Sequence, residues 1–407
     1  MTRTRYPRLL PALLATTLLV ACRGESPRDA ATLEQHELDS LVTSLMPAVA
    51  EATGLEFKET PRAAIRSKDE VRTYLLAKLA TELPAERLDG IVAAYRLLGL
   101  LPDTLDVAAL FVDLYTEQVA GFYEPDSSML YAVAGADALT LRATLSHELV
   151  HALQHQYLPL DSILHDRADA DRLAAAQAVL EGQATLVMLL VLAPEGGFLD
   201  DDDIWTRLRD QLGAPQAGLD VFNNAPLVIR TGLIFPYLEG ATFMRWFRNN
   251  RGDAQPFGTQ MPTSTEQILH PARYQQQDHP VALQFLGDST DVIHEDTFGE
   301  YESLVLRSAL AGISAVATDL PIGWDGDRMR VYGTANGPAL VWYTVFDEAG
   351  YAENFRTRVI GGLNRLRREG YRTVIDAVPV GSLPGVRVVI APEGWTGWSD
   401  LPVVVAP

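Results

Sequence analysis

Cysteine is nearly absent: one thiol, Cys22, stands in 407 residues. No pair exists to close an intrachain disulfide, and any metal must be held by imidazole and carboxylate rather than thiolate. Basic side chains are also few. Lys and Arg number 33 against 53 Asp and Glu, a formal charge of −20, and a surface of that sign repels nucleic acid and anionic headgroups. Histidine is rare, with eight in the chain, so two of them close together carry weight. Inside the chain no apolar run reaches the ~20 residues that a spanning helix needs. The stretch 184–193, apolar except for Thr185, is half that and reads as a buried core helix. Low-complexity tracts and internal repeats are missing as well. The chain therefore reads as globular, with length for two or three domains.

What is present begins with a targeting signal. Arg3, Arg5 and Arg8 precede a short apolar stretch, 9–20, broken by Pro11 and closed by Leu19-Val20-Ala21-Cys22. Small residues before a cysteine resemble a bacterial lipobox, in which the cysteine is lipidated and becomes the mature N-terminus. This predicts a signal peptide over 1–22 and membrane attachment through lipid on Cys22, not through a basic patch. The implied location is the bacterial cell envelope. The resemblance also implies that Arg23, not an Asp, follows the lipidated cysteine, which favours the outer membrane, facing periplasm or surface, in a host with two membranes.

Residues 23–110 read as a tether followed by helices. Leu38, Leu41, Leu45 and Met46 recur at helical spacing, as do Val71, Leu75, Leu76 and Leu79. A further helix, 88–100, is ended by Gly99 and Pro102. Over 111–275 the period changes. Residues 121–133 read as strand, turn, strand, with 129–133 either an exposed edge that could pair with an extended peptide or an ordinary hairpin strand. Long helices follow at 139–158 and 168–193. A third helical region, 226–250, is interrupted at Pro236, and 256–274 is loop-like. Residues 276–407 read as a small α/β C-terminal domain, with helices at 300–311 and near 347–367 and strands at 329–333, 339–345, 373–379 and 386–391. The fold class is α+β.

The chemistry concentrates in His147-Glu148-Leu149-Val150-His151. On a helix, positions four apart share a face one turn apart, so two imidazoles can converge on one zinc while Glu148 stands beside the metal to take a proton from water. His155 repeats the four-residue step, but His147 to His155 spans about 12 Å of axis, too far for one ion to gather all three. Glu181 is the better third ligand. It lies in the apolar 180–188 stretch, where a lone buried carboxylate costs several kcal/mol unless a cation offsets it. Gly182 beside it removes a side chain where this helix could approach the HELVH helix. Thr185, Asp161 and Asp169 are possible hydrogen-bonding partners of the ligands. The run from Trp324 to Arg328 reads more as a buried turn with an Asp–Arg pair than as a substrate contact.

Together these pieces resemble the gluzincin metallopeptidases, in which HExxH is completed by a Glu on a following helix. The likeness is closest to an uncharacterised prokaryotic group of metallopeptidases, through Gly121-Phe-Tyr-Glu-Pro125, 147–156, 180–185, 264–271 and, more weakly, 323–328. The resemblance implies a zincin-like catalytic domain, Zn2+ as cofactor and hydrolysis of a peptide or protein substrate with Glu148 as general base. It also implies a hydrogen-bond donor downstream for the developing oxyanion, for which Tyr237 and His270 are candidates. One departure stands out: gluzincins of the thermolysin kind often carry an Asp four residues after the ligand Glu, and Thr185 is there instead. Two other functions fit the same motif. One is hydrolysis of a non-peptide amide. The other is a lipid-anchored binding or assembly protein with a catalytically silent zinc site. No sequence feature specifies an oligomeric state.

Overall fold

Helix α1 (Gln35–Thr53) presents Leu38, Val42, Leu45 and Val49 at helical spacing, and all four are buried. A capping box between Glu34 and Glu37 opens it, and Gly54 in the left-handed region closes it. The computed structural model describes residues 33–82, 85–164, 169–195, 197, 201–287, 289–316, 322–401 and 403–405. The expected signal peptide and Cys22 lie outside them. The chain is mixed α/β, 54% helix and 18% strand, with helices gathered toward the N-terminus and sheet toward the C-terminus.

After α1 come β1 (Arg62–Arg66), α2 (Lys68–Glu82), α3 (Ala85–Leu97), α4 (Val107–Gln118), β2 (Gly121–Glu124) and β3 (Met129–Val133). The sheet order is β1-β3-β2, with β1 parallel and β2 antiparallel to β3. The strand at 129–133 is therefore central and not an edge. A five-residue strand from the N-terminal helical region covers its other side, and the free edges belong to β1 and β2.

Helix α5 (Ala138–Tyr157), short α6 (Leu160–Leu164) and α7 (Ala170–Leu192) follow. Asp137 caps α5 through the N–H groups of Leu139 and Thr140, and Asp169 caps α7 through that of Arg172. Helix α7 is long and apolar enough to cross a membrane, yet most of it is buried inside the molecule, so it is the core helix its composition suggests. Leu145, Leu149 and Leu153 of α5 pack with α1, β2–β3 and Val187 of α7 in one apolar cluster. This leaves the opposite face of α5 for its histidines.

Beyond α7 the chain forms α8 (Asp202–Gly213), α9 (Asp220–Asn224) and α10 (Leu227–Arg251). Helix α10 runs through Pro236 without a break, so proline costs it a backbone hydrogen bond but does not end it. Among the described residues, α7 and α10 share the most extensive helix–helix contact. Gly182 makes this possible: a Cβ there would meet the Gly240 carbonyl carbon at 2.1 Å, and one on Gly240 would meet the Ala178 oxygen at 2.1 Å. The close approach expected of Gly182 is thus to α10, not to α5. A methyl at either glycine would push the helices apart.

The segment expected as loop at 256–274 holds α11 (Thr265–Leu269) and the start of α12 (Pro271–Gln276), with Ser264 capping the first through Gln267 N–H. Then come β4 (Leu283–Phe285), β5 (Val292–Asp296), α13 (Gly299–Ala311), β6 (Trp324–Thr334), β7 (Gly337–Phe346), α14 (Ala349–Leu363), β8 (Tyr371–Ala377), β9 (Gly385–Pro392) and β10 (Val403–Val405). Strands β5-β6-β7-β9-β8 form an antiparallel sheet, and β10 pairs with β4. One sheet face, with Trp342 and Phe346, packs on Phe355 of α14 within a cluster that reaches α7 and α10. Trp324 is buried in β6, not in a turn. Asp327 accepts from Trp324 Nε1 and from the N–H groups of Phe298 and Gly299, while Arg328 pairs with Glu295.

Candidate metal centre

Two helices and one strand build the site. Helix α5 supplies His147, Glu148 and His151, and α7 supplies Glu181. All four are buried, with Glu181 the most exposed at 3%. His147 Nε2 stands 3.0 Å from Glu181 Oε2, and His151 Nε2 stands 3.5 Å from the same oxygen. The three donor atoms lie within 4.8 Å of one another, and the group can hold a metal ion. An ion with bonds of ~2.1 Å fits this spacing. His151 Nε2 also has no hydrogen-bond partner, so a buried lone pair faces a carboxylate oxygen and calls for a cation between them.

Without a metal, burial and mutual attraction set the charges of the three groups. Burial pulls His147 down to about 4, leaving a neutral imidazole. Burial also opposes charge on Glu181 and His151. Their mutual attraction outweighs it, so the carboxyl is held below its ordinary range and the imidazole above its own.

A chain of glutamines fixes the tautomer of His151. Its Nδ1 meets Gln154 Oε1 at 2.8 Å. Gln154 Nε2 donates to the Leu180 carbonyl at 3.0 Å and to Gln183 Oε1 at 2.9 Å. Gln183 Nε2 donates to Gln255 Oε1, and Gln255 Nε2 donates to the Thr53 carbonyl. Carbonyl oxygens only accept, so the two backbone ends orient every amide between them. Gln154 must show its oxygen to His151. Nδ1 then carries the proton and Nε2 keeps the lone pair a metal requires. Gln154 is this partner and not Asp169, which caps α7; the side chain of Asp161 lies outside what the structure describes. Thr185 Oγ1 is buried without a partner and braces neither ligand. A Gln154→Met chain should bind zinc about 10–100-fold more weakly in competition with a chelating dye. Unchanged affinity would mean that the tautomer is set elsewhere.

Glu148 is held by the strand. Its Oε2 accepts from Tyr123 N–H of β2 at 2.8 Å. Gly121 lets β2 lie against α5, since a Cβ there would meet Thr144 Cγ2 at 2.6 Å. The Tyr123 hydroxyl bonds His155 Nδ1 at 2.7 Å, so His155 supports the strand and is no ligand.

Tyr237 of α10 stacks on His147 with ring centroids 5.9 Å apart. Burial, then the carboxylates of Glu181 and Glu148 and a hydrogen bond to Glu181, push its phenol well above the ordinary range. Tyr115 of α4, which no motif marks, is raised to about 12 by burial and by Glu181. Both phenols remain proton donors at neutral pH. His270 goes elsewhere: its Nε2 stands 3.0 Å from Glu300 Oε2 on α13, without hydrogen-bond alignment. Among the described residues no hydrogen bond, ion pair or ring contact joins His270 to the cluster.

A family described as a domain of unknown function (DUF8575) matches residues 282–381. The match runs from β4 to β8 and includes none of the cluster. No curated protein matches the chain, and neither does any solved structure.

Proposed function

We propose that this protein is a zinc-dependent hydrolase of peptide bonds, zincin-like in its catalytic part and held on the bacterial cell envelope by lipid on Cys22. The observation that carries this reading is Glu148. A carboxylate 1% exposed stands one residue after a ligand histidine, held by a backbone N–H at the edge of a sheet. A purely structural metal site has no use for such a group.

Zinc held by His147, His151 and Glu181 would act as a Lewis acid on a carbonyl and lower the pKa of water there. Glu148 takes the proton from the attacking water and hands it to the leaving amine. Its hydrogen bond from Tyr123 N–H fixes the carboxylate beside the three donors. Tyr237, neutral and close to Glu181, donates to the oxygen on which charge develops. His270 is not needed for this scheme. The free edge of β2, beside Glu148, offers backbone groups to an extended substrate.

The test is zinc-dependent turnover by the chain from residue 23 onward. Casein cleavage should vanish with 1,10-phenanthroline and return with stoichiometric zinc. Zinc-dependent hydrolysis of acylated small amides, with casein untouched, would move the substrate class to non-peptide amides. A zinc-loaded chain inert toward both would favour the lipid-anchored binding protein.

A further inference from the structure

A second site is built where the N-terminal helices meet the C-terminal sheet. A cavity of about 700 Å³ opens between the end of α3 and the loop after it, the start of α10, the ends of α13 and α14, and strands β8 and β9. None of its lining residues belongs to the metal cluster. Arg230 precedes Tyr237 by two turns of α10, about 10 Å along the axis.

Three arginines line the cavity, Arg96, Arg230 and Arg368, against one acid, Asp103. In a chain of net charge −20 that balance is inverted. The acid is already matched, because Arg368 Nη2 donates to Asp103 Oδ1 at 2.7 Å. Arg96 gives Nη2 to the Leu105 carbonyl, but its Nε is buried without a partner. Arg230 Nε is likewise buried and unpartnered, and no ion pair holds Arg230 among the described residues. Buried guanidinium N–H groups without acceptors are costly. The 25-residue helix α10 also begins at this wall, with Pro226 as an N-cap that offers no side-chain acceptor, so its positive end adds to the field. Around the cations the wall is apolar, with Leu97, Leu227, Leu363 and Ile390.

We propose that this cavity binds an organic anion: a carboxylate or phosphate head received by Arg230 and Arg96, on an apolar body a few carbons long. Arg230, which makes no side-chain hydrogen bond or ion pair among the described residues, can take an oxyanion from the cavity in the forked geometry arginine suits, with Arg96 beside it. The proposal does not rest on the hydrolase reading.

Octanoate, octyl phosphate, inorganic phosphate and neutral octyl glucoside are titrated calorimetrically into the chain from residue 23 onward, with thermal denaturation in parallel. At least one of the two amphiphilic anions should bind and raise Tm, and which one binds identifies the head. Arg230→Met should weaken that binding about tenfold or more. The unliganded variant should melt no lower than wild type, because Arg230 gives up no partner. Equal binding by octyl glucoside, equal binding by the variant, inorganic phosphate binding as tightly as the amphiphiles, or no binding by either anion would each overturn the proposal. So would a variant markedly destabilised without ligand, since Arg230 would then be a structural cation.

Discussion

A Glu181→Ala chain is expected to lose its metal while keeping its fold. Glu181 brings the only negative charge among the three donors, and both imidazole Nε2 atoms converge on its Oε2. Without it, two histidines face a site open on one side. The loss should exceed the 10–100-fold typical of removing a hydrogen bond behind a ligand. The check is metal content by mass spectrometry on the chain from residue 23 onward, purified without chelators. About one zinc per wild-type chain is expected, and close to none in the variant. Folding is a separate readout. Alanine suits a helix interior, and the apolar packing of Val179, Leu180, Val187 and Met188 is untouched, so circular dichroism should be unchanged. A variant that keeps its zinc would place the third ligand elsewhere. A wild type without zinc would remove the metal from the account altogether and take the hydrolase reading with it. The anion cavity beside Arg230 would be unaffected by either result.

How much of this could be read from the sequence depends on how local each feature is. His147 and His151 are legible because their geometry follows from one helix and its 3.6-residue turn. Glu181 is legible because a lone carboxylate among Leu, Val and Ala demands a reason. The brace behind His151 is not. Gln154 is one turn away, but its orientation is dictated by Gln183, Gln255 and the Thr53 carbonyl, and Gln255 and Thr53 are 202 residues apart. No window of sequence contains that chain. Strand β1 escaped for a related reason. Three half-buried residues, Ala63, Ala64 and Ile65, stand between two arginines and show no alternation, and only parallel pairing with β3 makes them a strand. Gly182 announces a close approach but cannot name the partner, because glycine carries no side chain to match. Tyr115 is invisible in sequence, since α4 reads as an ordinary amphipathic helix until its neighbours are placed. Pro236 misleads in the opposite direction: its local cost is real, but the packing of α10 along α7 outweighs it.

Changing Glu148 to Gln should separate binding from chemistry. The amide keeps the size of the side chain and can still accept from Tyr123 N–H through its oxygen, so β2 and α5 should hold their places. Zinc content should stay near one per chain, because Glu148 is not among the three converging donors. What the amide cannot do is take and return a proton. General acid–base catalysis contributes about 10²–10⁴-fold, and the fall should appear in kcat, with KM little changed, if Glu148 acts only as bonds are being made and broken. Tyr237→Phe offers the internal comparison. Losing one donor to a developing oxyanion costs about 10²–10³-fold, again with metal retained. A Glu148→Gln chain with full zinc and undiminished turnover would remove the general base from the scheme and leave a metal acting alone. Full complementation of a deletion strain by that same variant, with turnover abolished, would show that the biological role is carried by binding. The His–His–Glu centre would then serve the architecture of a lipid-anchored partner protein instead of its chemistry.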